Sequence, residues 1–453
     1  MALVGGLATS TQRKPAGFES ALDFRRLMHE TSSETPSQQA VSWRRNLYAI
    51  TIAQWLAIVG FTLREPILPF YLKHLGDLST NSATRWSGLF AAGGGLTMAI
   101  TAPIWGLVGD KFGRKPMLLR SMIAASITVG LMGLATAPWH IVGLRLVEGA
   151  FTGTVTASTA LVATSAPKER LGFNLGMVQT AVFAGAAFGP AIGGFSSAHF
   201  GYRATFVISA GLLISAVIMV VFFVQEVFTR QEPTTASAEG FGSRWAWMLG
   251  SMMLTMLTVL FMVRFVQMGI RPVMPLYLQE LGHFTDTHAA TVSGWMFGVL
   301  GVSSAASAII FGRHGDKVGH QKILFWCVLG AGLLYLPMAV AQSAWHMIAL
   351  QGLFGIAAGG MIPSANAIIA DVTPAERRGF TFGITATAGA VGAAIGPLLL
   401  STLIAPAFGF ETAFVTVGVI LVGLAATLAV VVRSRPQPRA VTESVFVAPG
   451  RGD

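Results

Sequence analysis

Runs of roughly 20 mostly apolar residues, the length that carries an α-helix across a bilayer, recur throughout this chain. Twelve stand out, at about 46–72, 86–108, 116–137, 140–163, 174–197, 203–225, 247–278, 292–313, 321–341, 346–370, 380–404 and 411–432. They are continuous rather than alternating, which sets them apart from outer-membrane strands. Gly and Ala are scattered through them, as in closely packed membrane helices. Of the 453 residues 53% are apolar and 11% charged, against about 25% charged in a soluble domain. An ordinary cytosolic fold, a disordered chain and a disulfide-stapled secreted domain are thereby excluded. The one cysteine, Cys327, has no intrachain partner and reads as apolar filler. The expected class is an all-α polytopic membrane protein.

Basic residues orient the helices, because cytoplasmic loops retain Lys and Arg. With the N-terminus inside, 23 of the 30 Lys and Arg fall on the cytoplasmic side, three (Lys73, Arg85, Arg203) fall outside, and four lie within helices. Both termini are expected in the cytoplasm and the chain in an inner or plasma membrane. The formal charge of +10 then faces anionic lipid, and no nucleic-acid partner is expected. Residues 1–45 are polar, without an apolar run of signal-peptide length, and are expected to be a disordered tail. The polar stretch 226–246 is expected to link one six-helix bundle (46–225) to another (247–432), with 433–453 as a second tail.

The two bundles are copies. REPILPFYLKHLG at 64–76 recurs as IRPVMPLYLQELG at 270–282, so that Pro66, Pro69, Tyr71 and Gly76 match Pro272, Pro275, Tyr277 and Gly282 at an offset of 206. Ser87-Gly88 recurs as Ser293-Gly294 and Trp139-His140 as Trp345-His346 at that offset. Gly106, Gly109, Asp110, Lys111 and Gly113 recur as Gly312, Gly315, Asp316, Lys317 and Gly319. At an offset of 207, Glu169-Arg170 matches Glu376-Arg377, and Gly185, Gly189 and Pro190 match Gly392, Gly396 and Pro397. A duplicated six-helix unit in parallel halves, related by an axis along the membrane normal, suits alternating access.

Two motifs carry mechanism. After the second apolar run comes Gly106-Leu-Val-Gly-Asp110-Lys111-Phe-Gly113-Arg114-Lys115. Its glycines permit a tight turn and close helix contact. Asp110, at a helix end, can bind a neighbouring Arg or a helix N-terminus, a latch that can form in one conformation and break in another; the plainer alternative is a basic loop that only sets topology. The fifth run carries Gly185-xxx-Gly189-Pro190-xx-Gly193-Gly194. Gly185 and Gly189 share a face for backbone-close packing, and Pro190 removes a hydrogen bond and bends the helix.

With the duplication, the loop GxxxDxxGRK resembles the signature of the major facilitator superfamily over roughly 46–432, complete in the first half and decayed in the second, where His320 and Gln321 replace Arg-Lys. The fifth-run glycines resemble the motif of facilitators that act as antiporters, mostly drug efflux pumps. The order of RNLYAITIAQWLAIVGF, LPFYLKHLG and APIWGLVGDKFGRKPMLLRS is most similar to the MdtG-type branch of twelve-helix multidrug exporters. The resemblance implies a transporter with two pseudo-symmetric six-helix bundles and a central cavity lined partly by helices 1, 4 and 7.

Six charges fall well inside the apolar runs, away from their ends: Arg64 and Glu65 in helix 1, Arg145 and Glu148 in helix 4, Arg264 and Arg271 in helix 7. Each costs roughly 2.5–3.5 kcal/mol at a helix centre, which marks them as functional candidates; a structural ion-pair network is the alternative. Arg145 and Glu148 are i,i+3 on one face. Arg264, Gln267 and Arg271 are expected to form one stripe, and Gln54 to share a face with Glu65 eleven residues on. Glu148 beside Arg145 is the first candidate proton carrier, and Glu65 beside Arg64 or Arg271 the second. Arg64 could instead snorkel to the outer surface. Trp55, Phe61, Tyr71, Tyr277, Trp295 and Phe354 could stack on a ligand or serve as anchors.

The expected function is proton-coupled efflux of hydrophobic or amphipathic small molecules by a monomer. The alternative is an organic-anion or phosphate-ester transporter or exchanger, since four buried Arg face two Glu. A receptor or scaffold would show a broken loop signature or large soluble domains. The sequence holds no metal cluster, P-loop or nucleophile elbow, so neither an enzyme nor a cofactor is expected, and the partners are substrate, protons and lipid.

Overall fold

A computed structural model describes residues 36–165, 170–226, 251–373 and 378–433. Most of the two expected tails and of the expected linker lies outside these residues, as do Glu169, Glu376 and Arg377. The described residues form helices and no strand: α1 Pro36–Thr62, α2 Leu68–Gly76, α3 Thr80–Phe112, α4 Arg114–Met132, α5 Pro138–Phe151, α6 Thr154–Ser165, α7 Leu171–Phe223, α8 Ser251–Ile270, α9 Met274–Gly282, α10 Asp286–Val318, α11 His320–Ala339, α12 Ala344–Val372, α13 Arg378–Leu399, a π-helical turn Leu400–Ile404, α14 Ala405–Phe408 and α15 Phe410–Arg433. Helix α1 begins inside the stretch expected as tail. Among the described residues, nine helical segments are long and apolar enough to cross a bilayer.

Several expected helices are interrupted, each for a local reason. The first ends at Thr62 and resumes at Leu68, because Pro66 has no N–H to continue the ladder while Pro69 sits in the first turn of α2, where that N–H is not needed. Pro272 and Pro275 repeat the break between α8 and α9. The fourth breaks between α5 and α6, with Gly153 at φ +137°. Helix α7 remains helical through Pro190 and is broken instead at Gly201, where φ is +80°. There the chain turns back: Gly189 lies against Val59 and Thr62, while Ser209 and Leu213 lie against Gly60, so the two arms stand side by side.

The expected polar faces do not survive these breaks. Glu65 lies in the turn after α1 and Arg271 in the turn after α8. The helical spacing that joined Gln54 to Glu65, and Arg271 to Arg264 and Gln267, therefore does not apply across them.

Glycines bring helices together at backbone distance. Gly185, Gly189 and Gly193 seat α1: a methyl group on Gly189 would lie 3.0 Å from the Val59 carbonyl oxygen, and one on Gly193 would overlap the Leu63 carbonyl. Gly392 and Gly396 seat α8 in the same way, against Phe261 and Phe265. The halves meet toward the end marked by Thr80 and Asp286. There a methyl on Gly194 would lie 2.8 Å from the Ala290 carbonyl oxygen, and one on Gly95 3.2 Å from the Ala394 Cα. The Thr291 hydroxyl also donates to the Gly194 carbonyl at 3.2 Å. Toward the opposite end, marked by Gly113 and Gly319, nothing lies within 4 Å of a methyl group built on Gly106 or Gly312. Backbone-close contact between the halves is thus seen at one end, the joined end, and open space faces these two glycines at the other, the parted end.

Candidate functional site

Three of the six charges converge where α1 ends. The Arg64 guanidinium grips the Glu148 carboxylate with both terminal nitrogens, at 2.8 and 2.6 Å. Arg145, one turn before Glu148 on α5, donates to the same carboxylate at 2.7 Å. Arg64 is 4% exposed and Glu148 1%, so Arg64 does not snorkel to the surface. Phe90 lies 5.4 Å from the Arg64 guanidinium and 5.1 Å from that of Arg145, within cation–π reach of both. Space for the cluster comes from glycines: a methyl group on Gly94 would press on the Arg145 guanidinium, and one on Gly149 would lie 2.6 Å from the Gly94 carbonyl oxygen. Two guanidinium groups on one carboxylate leave a net charge of +1, and the Arg145 Nε has no partner among the described residues.

Glu65 pairs with Arg271 at 2.7 and 2.8 Å, across the two halves, rather than with its neighbour Arg64. These two residues occupy equivalent places in the duplication. Contact between equivalent residues puts the pair at the axis that relates the halves. A second pair on the same end, Lys73 with Asp286 at 3.7 Å, also bridges the halves.

The remaining candidates lie apart from the Glu148 cluster. Gln54 is fully buried and neither polar atom of its side chain has a partner. Arg264 and Gln267 are half-buried on α8; the charged group whose field reaches Arg264 is Arg271. Tyr71 and Tyr277 are buried clamps whose hydroxyls donate to the Met132 and Met338 carbonyls at 3.0 and 3.3 Å. Phe354 is also core, while Trp295 is exposed.

The motif loop turns at Gly113, with φ +98°, and the N-terminus of α4 is capped by Glu226. Its carboxylate accepts from the Arg114 and Lys115 backbone N–H groups at 2.6 and 2.8 Å, neutralising the positive end of the helix. Lys115 Nζ donates to the Val224 carbonyl at 2.7 Å. The Asn46 side chain holds Gln225 from the other side, donating to its carbonyl at 2.6 Å and accepting from its N–H at 2.9 Å. Helix α1 at Asn46 and the start of α4 are thus tied to the segment that follows α7. In the second half the turn at Gly319 is kept (φ +95°), but Asp316 pairs with His320 at 3.1 Å. The side chain of Asp110 lies outside the described set.

Sequence reasoning missed Glu226, Asn46, Gly94, Gly149 and the cap of the α5–α6 break. In that cap Trp105 Nε1 donates to the Ala150 carbonyl at 2.7 Å, and Arg120, 3.6 Å from the Trp105 ring, reaches the Phe151 carbonyl at 3.3 Å. The one signal for any of these was at Glu226, the first charge after the apolar run 203–225, and it did not reveal what the carboxylate caps.

The description Major Facilitator Superfamily matches residues 50–285 and 256–448. The chain is 31% identical over 382 residues to the multidrug resistance protein MdtG of Serratia proteamaculans, covering 84% of this chain and 92% of that one. It is 32% identical over 379 residues to the multi-drug resistance efflux pump PmrA of Streptococcus pneumoniae, covering 83% and 92%. Among solved structures it resembles a bacterial homolog of the human lysosomal transporter Spinster, inward-facing and occupied, with TM-score 0.71 and 15% identity over 89% of this chain and 98% of that one. It also resembles the human organic anion transporter MFSD10, with TM-score 0.66 and 18% identity over 87% and 100%. These relatives are transporters rather than enzymes, and the apolar helices, the duplication and the paired bundles all agree with them: the chain is a multi-pass membrane transporter of small molecules and belongs to the major facilitator superfamily.

Proposed function

We propose that this transporter exports hydrophobic or amphipathic compounds in exchange for protons, by alternating access, as a monomer in the cell membrane. In this reading the bundles 46–225 and 247–432 give twelve crossings with both termini cytoplasmic, so the joined end faces outward and the parted end opens inward. The names of MdtG, a multidrug resistance protein, and PmrA, a multi-drug resistance efflux pump, support the substrate class, and the Lys and Arg bias supports the orientation.

The observation that carries the reading is the Glu148 carboxylate, buried at 1% exposure and bonded to guanidinium groups on two helices. A proton on Glu148 removes the charge that three N–H donors share, so Arg64 is released from α5. Arg64 and Glu65 are consecutive residues of one turn. Movement of Arg64 therefore disturbs the Glu65–Arg271 pair that joins the halves, and this connects proton binding to opening of the outer end. The membrane potential supplies ~2.3 kcal/mol per charge per 100 mV.

The test is Glu148→Gln, near-isosteric and without a titratable proton. In everted vesicles the variant should insert normally and lose substrate uptake driven by a pH gradient. Uptake at the wild-type rate with this variant would overturn the role of Glu148.

A further inference from the structure

Among the described residues, the second half presents a cation with no ion-pair partner. The ion pairs among the described residues take up Arg64, Arg145 and Arg271 and leave out Arg264. The charge that acts on it is another cation, Arg271. Arg264 lies six residues before the end of α8, about 9 Å along a helix, well inside the membrane. Its stem rests on α13, where a methyl group on Gly389 would lie 3.3 Å from Arg264 Cγ. Gln267, one turn on and also half-buried, has no hydrogen bond among the described residues. The equivalent places in the first half are Ile58 and Phe61, so symmetry is broken here to place polar groups. In the alternating-access reading the guanidinium is open to water when the halves part. When they close over a bound substrate that water is lost, and an uncompensated buried cation is costly.

We propose that Arg264, assisted by Gln267, binds an anionic head group, a carboxylate or sulfonate, on an amphipathic substrate whose apolar body occupies the rest of the space between the halves. This rests on the efflux reading above and narrows its substrate class. Guanidinium suits the task because its planar fork matches an oxyanion and it stays charged. The second half would recognise substrate, while the first holds the Glu148 cluster.

Three fluorescent amphiphiles with one apolar body test this: pyrenebutanoate, its methyl ester and the corresponding pyrenebutyl-trimethylammonium. Binding to purified protein is read by energy transfer from tryptophan. Wild type should prefer the carboxylate over the other two. Arg264→Gln should weaken the carboxylate about tenfold or more, in line with a charge-assisted hydrogen bond, and leave the ester unchanged. Arg264→Lys should recover most of the loss. The proposal is overturned if wild type prefers the ammonium or binds none of the three, if Arg264→Gln leaves carboxylate binding intact, or if it weakens all three equally. The wild-type preference needs no variant, so a misfolded Arg264→Gln leaves a decisive result. If wild type shows no carboxylate preference yet drives efflux of the ester or ammonium with a pH gradient, the efflux reading survives without this one.

Discussion

At the scale of single residues, the Glu148 cluster depends on glycine as much as on charge. Gly94→Val would place methyl groups where the Arg145 guanidinium now lies. Arg145 should then leave Glu148 while Arg64 keeps its two bonds. Because overpacking at such a contact costs about 1–3 kcal/mol, the variant should melt at a lower temperature, as read by a thermal shift in detergent; an unchanged midpoint would mean that Arg145 relocates freely. The pairing of Arg145 with Glu148 was legible from their i,i+3 spacing, which is local. That of Arg64 with Glu148 was not, because it depends on how α1 docks on α5 across 84 residues of chain. Arg64 and Glu65, adjacent in the turn after α1, reach different partners, Glu148 on α5 and Arg271 in the turn after α8.

At the scale of elements, glycine motifs that look alike in sequence do different work. Gly193 meets backbone, and Gly193→Ala should cost about 1–3 kcal/mol through overpacking. Gly113 has φ +98°, so Gly113→Ala carries about 1–2 kcal/mol of left-handed strain and brings its methyl 2.8 Å from a Glu226 carboxylate oxygen. Gly106, seven residues earlier in the same motif, faces open space. Gly106→Leu should therefore leave the melting temperature unchanged and slow turnover, because that end has to close during the cycle. A normal turnover rate for Gly106→Leu, measured in vesicles, would argue against such closure. The seats at Gly185, Gly189, Gly392 and Gly396 were readable from spacing alone. The Glu226 cap was not, because the α4 N-terminus it serves is more than a hundred residues away.

At the scale of the molecule, equivalence between the halves explains both what joins them and what differs. Glu65 and Arg271 meet because they are symmetry mates of opposite charge, near the axis and about one-third exposed. Such exposure limits their worth to about 1 kcal/mol, enough to shift a two-state balance about fivefold. Glu65→Arg should open this end more often, and the swap Glu65→Arg with Arg271→Glu should restore it. The duplication, the membrane class and the family were all legible in the sequence. The end at which the halves touch was not, because either end can close with the same residues.

Rocking of the halves is tested most directly by paired distances. Spin labels at Trp139→Cys and Trp345→Cys report the joined end, and labels at Phe112→Cys and Val318→Cys report the parted end; all four sites are exposed, and Cys327→Ser removes the native thiol. Acidification of the wild type, and Glu148→Gln at any pH, should change the two distances in opposite senses, one lengthening as the other shortens. Distances that stay fixed, or that lengthen and shorten together, would contradict proton-controlled rocking about a common axis.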